Sequence, residues 1–129
     1  SSSEGLQAVQ VGELLTRLIV PSPENTEHAV LAGDFASTPG SPAYNMLIGA
    51  GFQDAWTPFG SGSGATCCQA NDLLNSASQL SERRDWGLSN DPLWSAKGAW
   101  VVGQGEADRT RSGRWVSTHA ALLTRWGTL

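Results

Sequence analysis

The segment HAVLAGDFASTPGSPAYNMLIGAGFQDAW, His28 to Trp56, leaves a chain little choice of architecture. Small and β-branched apolar residues run into Gly33-Asp34, and a Ser/Pro/Gly loop follows. Ser41-Pro42 then opens an apolar run to Ile48, after which come Gly49, Gly51 and the stretch Phe52 to Trp56. Residues 29–33 read as a short strand apolar on both faces, as strands in two-sided sheets are. Ser41 supplies an N-cap hydroxyl, and Pro42 suits the first helical position. Gly49 and Gly51 end that helix, and 52–56 reads as an edge strand. Asp34 thereby falls at the carboxyl end of a strand, where α/β sheets collect reactive groups. The competing reading of Asp34 is a cap for the turn into STPGSP, and the local pattern does not choose between them.

The rest of the chain extends the same α/β plan. Leu14, Leu15, Leu18 and Ile19 recur at helical spacing, which predicts an amphipathic helix over 6–20, ended by Pro21 and Pro23. TPFGSGSGATCCQAND is Gly/Ser-rich and is expected to be an exposed loop. Further strands are predicted near 84–88 and 99–103. GQGEADRTRSGR reads as a long polar loop, and a last strand begins at His119 within WVSTHAALLTRW. No repeat or linker divides the 129 residues, so 1–129 is read as a single domain with one modest core.

Charge narrows the partners. The net charge is −4, and up to Ala65 a single basic residue, Arg17, faces six acidic ones. Such a chain has no general attraction for a phosphate backbone, so any nucleic acid would be met locally. No stretch is long and apolar enough to cross a membrane. The opening SSSEGLQAVQ lacks the basic start and apolar core of a signal peptide, so a soluble protein is expected. Cys67 and Cys68 are adjacent. Across a trans peptide their Cα atoms are about 3.8 Å apart, below the usual disulfide range, so two free thiols are expected.

Three polar residues stand out. Asp85 lies in ERRDWGL, a predicted strand, where a carboxylate needs a partner if it is buried. His119 follows a loop rich in Arg and Gly, and a carboxylate beside an imidazole fixes its tautomer and stabilises the imidazolium. Asp34 completes the set. Arg109, Arg111 and Arg114 form a cluster that could hold phosphate, although such loops are more often simply solvated. His28 follows SPENTE and reads as an exposed bystander.

At this point the residues resemble a family. HAVLAGDFASTPGSPAYNMLIGAGFQDAW, ERRDWGL and ADRTRSGRWVSTHAALLTRW are similar, in order, to three motifs of the endonuclease/exonuclease/phosphatase superfamily, the deoxyribonuclease-I-like proteins. These are Gly-Asp-Phe-Asn with its loop, helix and Asp-Ala-Trp strand, then Arg-Ile-Asp-hydrophobic, then Ser-Asp-His. The resemblance implies an α/β (α+β) fold: the C-terminal half of a two-sheet sandwich, a mixed sheet with helices packed on one face. It implies phosphoester hydrolysis helped by Mg²⁺ or Mn²⁺. Asp34 would orient or deprotonate the attacking water, and His119, paired with Asp85, would stabilise phosphate charge.

Departures from the pattern matter as much as the matches. Ala36 stands in place of the motif's Asn, and Thr118 in place of the Asp before the His. Arg84 and Gly87 replace apolar residues of the middle motif. Alternation sends Arg84 to the face opposite Asp85, where it must snorkel out or find an anion. The half that would carry the metal-binding Glu is absent from the sequence. The resemblance therefore implies a phosphodiesterase or nuclease-like hydrolase, incomplete or weakly active as this chain, on a small phosphoester or nucleic acid. The alternative is a catalytically inactive truncated relative that self-associates or binds. Either the missing N-terminal half or a second copy would cover the bared sheet. An esterase with a new site is the weakest reading, because GSGSG lacks the strand-to-helix setting of a nucleophile elbow.

Overall fold

The computed structural model describes residues 2–19 and 28–129. Helix α1 spans Ser2–Leu14 and widens into a π-helical turn over Leu15–Ile19. It starts ahead of the predicted helix, and the proline stop at Pro21 and Pro23 lies outside the described residues. Its buried stripe is Val11 with Leu15, one turn apart on one face. Leu6 and Val9 point to solvent.

Strand β1 is Val30–Asp34, α2 is Pro42–Gly49, β2 is Gln53–Asp54 and α3 is the single turn Trp56–Phe59. The α2 boundaries follow the sequence signals. Ser41 Oγ accepts from the Tyr44 N–H at 3.3 Å with Pro42 at the first position, and Gly51 takes φ +94° just past the end. Strand β3 is Asp85–Ser89, β4 is Trp94–Val102 and β5 is Ala121–Thr128. Both late strands differ from the predicted spans. Strand β4 starts earlier, and β5 starts after His119, which sits just ahead of it.

The three short strands form a sheet in the order β1-β3-β2, and β4 with β5 forms a separate two-stranded ribbon. All pairings among the described residues are antiparallel, where a mixed sheet was expected. Register decides which face each residue takes. Leu31 lies opposite Leu88 and Gly33 opposite Trp86. That face carries the main core, in which Trp86 and Leu88 pack with Ala43, Leu47, Phe52 and Val11 under α1 and α2. Phe35 stacks on Trp86 at 4.6 Å, and Tyr44 meets the same ring edge-on at 5.0 Å.

The other face carries Ala32 opposite Gly87 and Asp34 opposite Asp85. Here the ribbon docks on β3. A Cβ on Gly87 would lie 2.5 Å from Thr124 Cγ2, so the missing side chain is what admits β5. The ribbon leaves Val30 and Ala32 exposed, which corrects the expectation that β1 is buried on both faces. A second small core joins Ala55, Ala96 and Ala99 to Trp56 and Trp126.

The Gly/Ser-rich segment is a loop, but not an exposed one throughout. Its end turns inward: Thr66, Cys67 and Gln69 are buried, and Cys67 bridges to both Glu82 and His119. Cys67 and Cys68 are joined as a disulfide across a cis peptide, with Cα atoms 3.0 Å apart, in place of the two free thiols expected from trans spacing. Arg84 finds its anion in Glu82, with Nε 2.6 Å from Oε2.

Candidate active site

The site grows out of an electrostatic problem set by strand register. Asp34 and Asp85 are direct cross-strand partners on one face, and like charges so placed repel. The imidazole of His119 fills that position. Its Nδ1 lies 2.8 Å from Asp85 Oδ2, and its Nε2 lies 3.7 Å from Asp34 Oδ2. The short contact makes Nδ1–H the donor to Asp85, which leaves Nε2 facing Asp34. A protonated ring would be attracted by both carboxylates.

Asp34 divides its oxygens. Oδ1 accepts from the Ala36 N–H at 2.7 Å, while Oδ2 is the atom facing His119. Asp34 thus caps the turn with one oxygen, and its other oxygen faces the imidazole. Ala36 sits at φ +50°, a left-handed conformation that asparagine tolerates much better than alanine. Helix α1 holds this turn, since Gln7 Nε2 donates to the Ala36 carbonyl and Ser37 Oγ donates to Gln7 Oε1.

Thr66 holds the opposite wall and was not singled out from sequence. Fully buried, it accepts on Oγ1 from the Arg84 and Asp85 N–H groups, each at 3.1 Å. Its carbonyl accepts from the Ala120 N–H at 2.8 Å, and Gln69 N–H donates to the Thr118 carbonyl at 2.7 Å. One short segment thus clamps the residues on either side of His119 to the start of β3. The only sequence signal was the change from Gly/Ser to Thr-Cys-Cys-Gln. Cys68, likewise missed, brings its Sγ to 3.6 Å from His119 Nε2.

A separate buried polar group centres on Asp54. Asp54 accepts from Tyr44 Oη at 2.9 Å and from Arg83 Nη2 at 2.8 Å on one oxygen, and from the Trp56 N–H at 2.9 Å on the other. Burial, reinforced by the Asp54 carboxylate, raises the Tyr44 hydroxyl above its ordinary 10.0. This group ties α2, β2 and the approach to β3 together.

Arg109 and Arg114 are engaged with other partners. Arg109 donates to the Asn75 and Ser76 carbonyls, pairs with Glu106 at 3.2 Å and lies over Trp115. Arg114 donates to the Asp72 carbonyl. His28 is exposed.

The donors suit a hard divalent cation poorly. Magnesium asks for several anionic oxygens in near-octahedral array. Here Asp85 Oδ2 is committed to His119, Asp34 has one oxygen in the turn, and Ala36 and Thr118 add no carboxylate. The described residues of this chain do not by themselves form a magnesium cage.

No family model matches the sequence, and no curated protein matches it. Solved structures do match. An endonuclease/exonuclease/phosphatase family protein from Leptotrichia buccalis C-1013-b superposes with a TM-score of 0.59 at 20% identity, over 93% of this chain and 42% of its own. A functionally unknown conserved protein from Enterococcus faecalis V583 superposes with a TM-score of 0.58 at 18% identity, over 98% and 46%. The chain spans less than half the length of either protein, and what it shares with them is that part of the fold.

Proposed function

We propose that Asp34, His119 and Asp85 form the protein-side half of a phosphoester-hydrolysing site. The observation that carries this reading is the line of three: Asp85 holding Nδ1 at 2.8 Å, and Nε2 presented to the Asp34 carboxylate. Asp85 keeps the ring in one tautomer and stabilises its protonated form. The protonated Nε2–H is the group that would donate to a phosphate oxygen as charge builds there. The free oxygen of Asp34 would orient a water toward phosphorus or accept its proton. The substrate class is a phosphodiester, of a small molecule or of nucleic acid. With the hard-cation donors so depleted, turnover by this chain alone is weak, and the remaining ligands belong to a complementary half.

The experiment is hydrolysis of a generic phosphodiester with and without added Mg²⁺ or Mn²⁺, for the wild type, Asp34→Ala and His119→Ala. Metal-stimulated turnover that falls about 100-fold or more in both variants supports the site. Turnover indifferent to both substitutions overturns it.

A second reading has its own support. The outer face of the ribbon exposes Trp100 and Val102 on β4 and Leu123 on β5, with Leu123 directly opposite Trp100. A non-catalytic, self-associating module would use such a face, and Ala36 and Thr118 fit the loss of chemistry. A concentration-dependent mass in light scattering together with zero turnover selects this reading, and a monomer at all concentrations rejects it.

A further inference from the structure

We infer that the reduced chain holds a zinc-class, thiophilic divalent ion at Cys67, Cys68 and His119, a site separate in chemistry from any hard-cation hydrolytic centre. The ligand atoms Cys67 Sγ, Cys68 Sγ and one His119 ring nitrogen all lie within 4.8 Å of one another. The nitrogen is Nε2, 3.6 Å from Cys68 Sγ and 3.7 Å from Asp34 Oδ2. Two thiolates and an imidazole supply three of the four donors of a tetrahedral zinc site, with the fourth position open to water. The same set that lacks oxygens for magnesium has the sulfur and nitrogen that softer ions select.

An independent observation points the same way. A metal-bound histidine nearly always gives its other ring N–H to a carboxylate or carbonyl, which fixes the tautomer and aims the ligating nitrogen. Asp85 does this to His119 at 2.8 Å. Burial adds to the case. Cys67 is buried and pinned in backbone bridges to Glu82 and His119, while Cys68 is partly exposed and gives the ion a way in.

In the bridged form the sulfurs are unavailable, so binding follows reduction. A dithiol reductant delivers two electrons and two protons to the Cys67–Cys68 bond and closes to its own cyclic disulfide. The ion then displaces the two thiol protons to solvent as the two sulfur–metal bonds form. Oxidation by any disulfide of sufficient potential reverses the sequence. Occupation engages His119 Nε2, so a filled site would block the proposed hydrolysis. The binding itself does not depend on that reading.

The test is an anaerobic titration of the reduced, reductant-free chain with Co²⁺ alone, followed by Zn²⁺. A single equivalent of Co²⁺ giving thiolate charge-transfer absorption and intense tetrahedral ligand-field bands, both bleached by Zn²⁺, is the expected result. The oxidised chain should show neither band. Cys68→Ser should remove most of the charge transfer, and Asp85→Asn, which leaves the ligands in place but frees the ring, should weaken binding about 10- to 100-fold. Reduced wild type without thiolate bands overturns the inference. So does a cobalt spectrum and affinity unchanged in both Cys68→Ser and His119→Gln. Circular dichroism of each variant separates loss of ligand from loss of fold, and the wild-type titration decides the matter if a variant fails to fold. No substrate is present, so failure of the hydrolytic proposal leaves this result unaffected.

Discussion

Replacing Asp54 by Asn tests the buried ion pair that ties β2 to the approach to β3. The carboxylate and the Arg83 guanidinium are 1% and 8% exposed, and they meet at 2.8 Å. The same carboxylate satisfies the Tyr44 hydroxyl and the Trp56 N–H. Asparagine keeps the volume and can still bond both of these, but it leaves a buried guanidinium without a counter-charge. Arg83 Nη1 already has no partner among the described residues, so the loss cannot be shared. Breaking a buried pair from one side costs about 3–5 kcal/mol, a large part of the 5–15 kcal/mol that typically stabilises a domain. With a urea slope of about 2 kcal/mol per molar, the unfolding midpoint should fall by about 1.5–2.5 M. Adding Arg83→Met removes the stranded charge, so the double variant should recover about half of the loss or more, a non-additivity read from the cycle. A single-variant cost below about 1 kcal/mol, or strictly additive costs around the cycle, would show that the pair is solvated in solution and refute the reasoning.

Three further outcomes follow from particular contacts. Thr66→Val strips the acceptor from two half-buried N–H groups, so chemical denaturation should report a loss of about 1–3 kcal/mol. The imidazole resonances of His119 should shift as β3 loosens. Ala36→Gly relieves a left-handed alanine, a strain of about 1–2 kcal/mol less the entropy glycine loses, and should raise the urea midpoint slightly; a lower midpoint would contradict it. Tyr44 is the sole tyrosine, and tyrosinate absorbance should develop only above pH 10.0 in the folded chain. Because its folded value is raised, the stability it contributes is present below 10.0 and is lost as pH climbs through that higher value. Tyr44→Phe should therefore flatten the alkaline decline of stability.

Much of the local structure was legible residue by residue. The Ser41-Pro42 start and Gly51 stop of α2, the strand into Gly33-Asp34 and the edge strand at β2 all follow from caps, dihedral preferences and alternation, which act over a few residues. The three polar residues could be named for the same reason, since each sits beside a strand end that the pattern locates. The misread features have non-local causes. Thr66 and the Cys67–Cys68 bridge lay hidden in a segment whose composition reads as loop, because its burial comes from pairing with Glu82 and His119 far along the chain. The exposure of β1 depends on how far a separate ribbon reaches, which no pattern within β1 encodes.

The amino-acid order alone determined a chain of mixed helices and strands with Asp34 at a strand end, because periodicity and capping are settled by neighbours. Only the tertiary structure decided that Asp34 and Asp85 stand opposite each other and that His119 lies between them. It decided this through one antiparallel register and one glycine, Gly87, small enough to let the last strand approach. A shift of one residue in that register would put the two carboxylates on opposite faces of the sheet. The chemistry of the site is thus a property of packing between distant segments.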